Sequence, residues 1–123
     1  MHARKEQIKT LGRLKKRSDF LYVQHSGQKW VAKGLVLQVL KREEGEFCRF
    51  GVVASKKLSR SAVVRNRVKR RLRSAVSNVY ANYKLPVLDL VLIGRRETET
   101  RSLADLEKDV IWCLKKLGHI NPA

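Results

Sequence analysis

Arg65, Arg67, Lys69, Arg70, Arg71 and Arg73 fall within nine consecutive positions of the stretch VVRNRVKRRLRSAV, with no acid among them. Just upstream, SKKLSRSA adds Lys56, Lys57 and Arg60, so nine cations run from Lys56 to Arg73 without a carboxylate. Groups of this type and density bind polyanions. The planar arginine fork takes phosphate through two parallel hydrogen bonds and stacks on bases. Asn66, held between two arginines, can donate and accept at once, which suits a base edge or a brace for a phosphate contact.

The same spacing makes the segment repel itself as a helix. Arg65 with Lys69, Lys69 with Arg73, and Arg67 with Arg71 are like-charge pairs four residues apart, each costing about 0.2–0.5 kcal/mol on an isolated helix. Val64, Val68, Leu72, Ala75, Val76, Val79 and Tyr83 recur at three- and four-residue spacing and form the stripe that must bury this helix. Burial at roughly 1.5–3 kcal/mol per large side chain outweighs the repulsion. The fold can carry the charge; a partner that releases counterions from its phosphates would turn the cost into a gain.

Bulk charge agrees. The 28 Lys and Arg against 11 Asp and Glu give +17, and 43% apolar residues are enough for a core, so the chain is not a disordered basic tail. Its 123 residues suit one domain. Nucleic acid is the leading partner class. No run approaches ~18 apolar residues and no secretory segment opens the chain, so a membrane is not an expected partner. Cys48 and Cys113 are far apart and read as two half-buried thiols of a reducing cytoplasm, although spacing alone leaves a disulfide open. His2, His25 and His119 lack metal-ligand spacing, and Glu43, Glu44 and Glu46 read as a solvated loop. No Ser/His/Asp ordering, HExxH or phosphate-cradling glycine loop is present. Any part in catalysis would be binding and positioning.

The elements follow from periodicity. Residues 1–13 read as a mobile basic arm, with order beginning near Leu14. SDFLYVQHSG predicts a short helix capped by Ser18 and ended by Gly27, with Phe20 and Val23 on one face. Trp30 lies in a short strand. Residues 35–40 and 47–54 alternate as a hairpin around Gly45, and VLDLVLIG suits an interior strand. SLADLEKDVIWCLKKLG predicts a last helix, started by Ser102 with Asp105 and closed by Gly118, ahead of a tail over 119–123. The order is α-β-β-β-α-β-α, an α+β class. A sheet face bordered by Phe20, Tyr22 and Gln24 could stack unpaired bases, whereas periodicity alone assigns Phe20, Trp30 and Trp112 to the core.

The segment SKKLSRSAVVRNRVKRRLRSAV resembles the signature of the bacterial ribonuclease P protein component family: an Arg-Asn-Arg triplet, then Lys-Arg and a further Arg. Here these are Arg65, Asn66, Arg67, Lys69, Arg70 and Arg73. RLKKRSDFLYVQHSGQKW is similar to the family's N-terminal segment, and the likeness covers roughly residues 11–118. The resemblance implies a four-stranded mixed sheet with three helices and a left-handed parallel crossover, against the usual right-handed rule. It implies a catalytic RNA partner that, with Mg²⁺, frees the mature 5′ end of precursor tRNA in the cytoplasm, without DNA as a ligand. Lys56, Lys57, Arg60, Arg65, Asn66, Arg67, Lys69, Arg70 and Arg73 would contact the catalytic RNA. Arg13, Lys15, Lys16 and Phe20 would line the cleft for the 5′ leader. Gln24 and Gln38 stand where some members carry aromatics, so stacking there would be weaker and hydrogen bonding greater. The alternative is a structural RNA-binding protein of ribosomal-protein type. A DNA-binding regulator is disfavoured because dense charge gives affinity without base discrimination.

Overall fold

The computed structural model describes residues 11–45 and 47–120. Its elements are β1 (Gly12–Arg13), α1 (Arg17–Ser26), β2 (Gln28–Val31), β3 (Leu35–Lys41), β4 (Arg49–Val53), α2 (Ala62–Asn82), β5 (Leu88–Gly94), α3 (Arg96–Thr100) and α4 (Leu103–Lys116). The strands form one five-stranded mixed sheet in the order β1-β4-β5-β3-β2. β4 runs parallel to both β1 and β5, and β3 is antiparallel to β5 and β2. The basic helix α2 is thus the crossover between the parallel neighbours β4 and β5.

Two layers cover the sheet. On one face Leu35, Leu37, Val39, Leu88, Leu90 and Leu92 pack with Val68, Leu72, Val76 and Val79 of α2 and Leu106, Val110 and Leu114 of α4. On the other face α1 lays Val23 on Leu14 and Val91, with Phe20, Leu40, Val53 and Ile93 around them. The alternation of β3, β4 and β5 sets this division, because successive side chains point to opposite faces.

The fifth strand is a departure from the four expected. Gly12 and Arg13 pair with Arg49 and Phe50, and Gly12 N and Leu14 N donate to Cys48 O and Phe50 O at 2.8 Å each. Residues 11–13, read as part of a mobile arm, are therefore tied to the sheet edge; residues 1–10 lie outside the described residues. Helix α1 starts at Arg17 with Lys16 as its cap residue and no side-chain cap bond, so Ser18 sits inside the first turn instead of capping it. Gly27 ends α1 for a different reason than left-handed geometry: its φ is −86°, and a Cβ there would meet Val23 O and Val39 O at 2.6 Å. Gly118 closes α4 at φ +85°, as the helix stop predicts. His119 and Ile120, read as tail, dock: Ile120 packs on the core and the His119 ring bonds Gln28 Oε1 at 2.9 Å. Burial, and then Lys41, lowers the His119 pKa. Residues 121–123 lie outside the described residues.

Trp30 and Trp112 are exposed, not core: β2 is an edge strand, and Trp112 lies under the Lys116 ammonium at 4.4 Å. Cys48 and Cys113 are both buried free thiols.

Candidate nucleic-acid interface

Ser61 starts α2 by accepting from Val64 N at 3.3 Å. The apolar stripe then turns Val68, Leu72, Ala75, Val76 and Val79 onto the sheet, which leaves the cations on the opposite arc and its flanks. Asn66, Arg67 and Arg70 are exposed, and Arg65, Lys69 and Arg73 are half-buried. Lys56, Lys57 and Arg60 are exposed in the loop before the helix.

These cations are not equivalent. Arg65 donates from Nη1 to Ser59 O and Arg60 O, both at 2.9 Å, and so braces the loop that carries Lys56 and Lys57. Arg67 Nη1 donates to Glu99 Oε2 at 2.7 Å. Arg71 turns to α3, donating from Nε to Thr98 O at 3.0 Å and from Nη2 to Arg101 O. Among the described residues, Lys69, Arg70 and Arg73 make no hydrogen bond or ion pair with the protein, and the loop cations Lys56, Lys57 and Arg60 donate none from their side chains. These six, with Asn66, are the groups available to an outside anion.

The α1 face holds a second site. Lys15, Arg17, Phe20, Leu21, Gln24 and Val53 line a groove of about 470 Å³ between α1 and β4. Phe20 lies directly over Gly51, where a Cβ would overlap its ring. The ring can rest on the sheet there because β4 has no side chain at that point. One aromatic, one amide and two cations on its rim suit a single strand: a base can stack and its phosphates can be neutralised.

Three expected cleft residues lie elsewhere. Lys16 is exposed at the start of α1, outside the groove lining. Gln38 shares the sheet face but is only 9% exposed and does not line the groove; its Oε1 is buried without a hydrogen-bond partner. Arg13 projects to the opposite face, with its guanidinium 5.9 Å from the Phe50 ring centre.

Several positioning residues carried no sequence signal. Asp89 sits in the apolar strand β5, directly beside Arg49 in the parallel register. Arg49 Nε and Nη2 bond its two oxygens at 2.9 and 2.7 Å, Arg42 adds a contact at 3.5 Å, and Asp19 of α1 lies 3.8 Å from Arg49. Donation to Asp89 raises the Arg49 pKa, and the pair fastens the end of β4 near α1. On the other side Asp109 takes two bonds from Arg101, at 2.7 and 3.0 Å, and one from Gly34 N at 3.0 Å. That cluster fixes the α3–α4 corner on which Arg67 and Arg71 lean. The acids among the described residues form no group able to hold a metal ion.

The ribonuclease P family model matches residues 8–118. The ribonuclease P protein component of Gluconacetobacter diazotrophicus is 47% identical over 106 residues, covering 86% of this chain and 90% of the relative. That of Paramagnetospirillum magneticum is 43% identical over 112 residues, covering 88% and 84%. The RNase P protein of Staphylococcus aureus superposes with a TM-score of 0.72 at 25% identity, over 89% of this chain and 97% of that one. A match of this length, on a fold that places the Arg-Asn-Arg helix as the crossover between parallel strands, settles the family: the chain belongs to the ribonuclease P proteins, subunits of the ribonuclease that processes tRNA 5′ ends.

Proposed function

We propose that the chain binds the RNA subunit of ribonuclease P through α2 and the loop before it, and holds the 5′ leader of precursor tRNA in the Phe20 groove. The observation that carries this reading is the division of the molecule into two cationic sites on opposite faces of one sheet. Lys69, Arg70 and Arg73 present charge that the protein itself does not neutralise, while Lys15, Arg17, Phe20 and Gln24 line a groove sized for a strand.

The first site neutralises phosphates of a folded RNA, and counterion release supplies the affinity. The second discriminates precursor from product, because only the precursor has a leader to stack on Phe20. Cleavage itself belongs to the RNA subunit and its Mg²⁺, and the acids among the described residues form no group for that ion. No helix among the described residues is long and apolar enough to cross a membrane, and the reading places the protein with its RNA in the cytoplasm.

Reconstitution tests it. With the RNA subunit at low Mg²⁺, the protein should raise cleavage of precursor tRNA and favour precursor over mature tRNA in binding. An RNA subunit that cleaves equally well without the protein would overturn the reading.

A further inference from the structure

A second groove lies behind the sheet edge, on the face opposite Phe20. It has a volume of about 470 Å³ and brings Arg13 of β1 together with Arg73, Ser74, Ser77 and Asn78 of α2. Two observations fix Arg13 there. The β1–β4 register puts Arg13 beside Phe50, a residue that faces the α2 layer, and the guanidinium lies 5.9 Å from that ring's centre. Backbone bonds from Gly12 N and Leu14 N, 2.8 Å each, hold the strand on either side.

The α2 side of this groove is built for an anion. Arg73 makes no hydrogen bond or ion pair with the protein. Ser74 and Ser77 are small donors that let a backbone come close. No carboxylate lines the groove, and Glu107 accepts from the Asn78 amide at 2.9 Å. The groove also continues into a second one lined by Arg67, Arg70 and Arg71, and the two share Ser74 and Leu103. From Arg67 to Ser77 the track covers roughly 15 Å of helix axis.

We infer that Arg13 and Arg73 clamp a backbone phosphate of the RNA subunit in this groove, so that the RNA track extends from α2 across to β1. The inference rests on the RNA-subunit reading of α2 given above. It moves Arg13 from the leader cleft to the opposite surface. The chain then changes sides within two residues: Arg13 serves the RNA subunit, and Lys15 lines the leader groove. The edge strand separates the two RNAs.

The test uses the full-length protein with the isolated RNA subunit, and then the reconstituted holoenzyme with precursor and mature tRNA. Arg13→Ala should weaken binding of the RNA subunit about tenfold, as for a lost charge-assisted bond. It should flatten the salt dependence by about 0.7–0.9 in slope while the precursor preference stays at the wild-type ratio. Arg13→Gln, which keeps a side chain over Phe50 without charge, should lose the same slope and controls for any local change in β1. Arg13→Ala combined with Arg73→Ala should lose less than the sum of the two, since both hold one phosphate. Wild-type slopes in both Arg13 variants, or a loss confined to precursor preference, would overturn the clamp. A wild-type protein that does not bind the RNA subunit would instead sink the reading beneath it.

Discussion

Arg67 and Glu99 are joined end to end at 2.7 Å, so the last arginine of the Arg-Asn-Arg triplet is held by a carboxylate of its own chain. Along the sequence the basic run has no acid; in space one arrives from α3. The pair is open to solvent, with side-chain exposures of 47% and 32%. Such a pair contributes only about 0.2–1 kcal/mol, less than a desolvated phosphate contact offers. If α2 binds the RNA subunit as proposed, a phosphate at Arg67 would have to displace Glu99. Glu99→Gln should tighten binding of the RNA subunit about two- to fivefold, the equivalent of the released pair, with little change in thermal stability. Titration at fixed low salt checks this, and an unchanged affinity would mean that Arg67 keeps its carboxylate in the complex.

Neighbouring arginines should separate cleanly by assay. Arg71 bonds the carbonyls of Thr98 and Arg101 and holds α3 against α2. Arg70, one residue earlier, is exposed and makes no bond to the protein. Arg71→Ala should cost about 1–3 kcal/mol of folding stability, because it strips two part-buried carbonyls of a charged donor. Arg70→Ala should leave the urea midpoint unchanged and weaken RNA binding, with a salt slope lower by about 0.7–0.9. Measuring both quantities on both variants decides it; equal stability of the two would remove the bracing role from Arg71.

What could be read without coordinates was periodic and local. The apolar stripe of α2, the alternation of β3 and β4 and the unbroken run of β5 each carry their own signal, and each forms its element, but the hairpin expected between β3 and β4 does not form, because β5 lies between them and pairs with both. The misses are contacts between distant segments. β1 is two residues long and exists only because β4 offers an open edge. α3 has no apolar repeat; it forms because the Thr98 hydroxyl bonds Gly34 O and takes Arg95 N at 2.9 Å, which buries Thr98 and pins the short helix at the sheet end. Asp89 reads as an interruption in an apolar strand until the register sets Arg49 beside it. Arg13 is one residue from Leu14, and strand alternation alone sends the two to opposite faces. In the site, charge density identified the α2 surface, whereas which cation serves the fold and which serves a ligand depends on carbonyls and acids that arrive from α3.

Gly51 offers a way to move Phe20 without mutating it. The Phe20 ring rests on Gly51, and an added methyl would overlap it. Gly51→Ala should push the ring out of the groove and cost about 1–3 kcal/mol in overpacking. Its effect on RNA should match that of Phe20→Ala in direction: a smaller preference for precursor over mature tRNA, with RNA-subunit affinity unchanged, since α2 lies on the other side of the sheet. Competition binding of the two tRNAs by the folded variant is the measurement. A full precursor preference in Gly51→Ala, with circular dichroism showing the native fold, would remove the α1–β4 groove as the leader site.

Alkaline pH should reveal the buried thiols. Burial, with Asp109 adding to it, pushes the Cys113 pKa from 9.0 up to about 12, and burial also raises that of Cys48. Between those limits the unfolded chain loses a proton that the native chain keeps. Stability is then insensitive to Cys113 below about pH 9 and falls as pH climbs toward 12, by at most about 1.4 kcal/mol per pH unit for one thiol. The informative quantity is the difference between wild type and Cys113→Ala. The variant should start less stable, because it leaves a cavity against Trp30 O and the α4 core, and its urea midpoint should decline less steeply from pH 9 to 11. Parallel declines would mean that the native fold opens enough at high pH to ionise Cys113 in place.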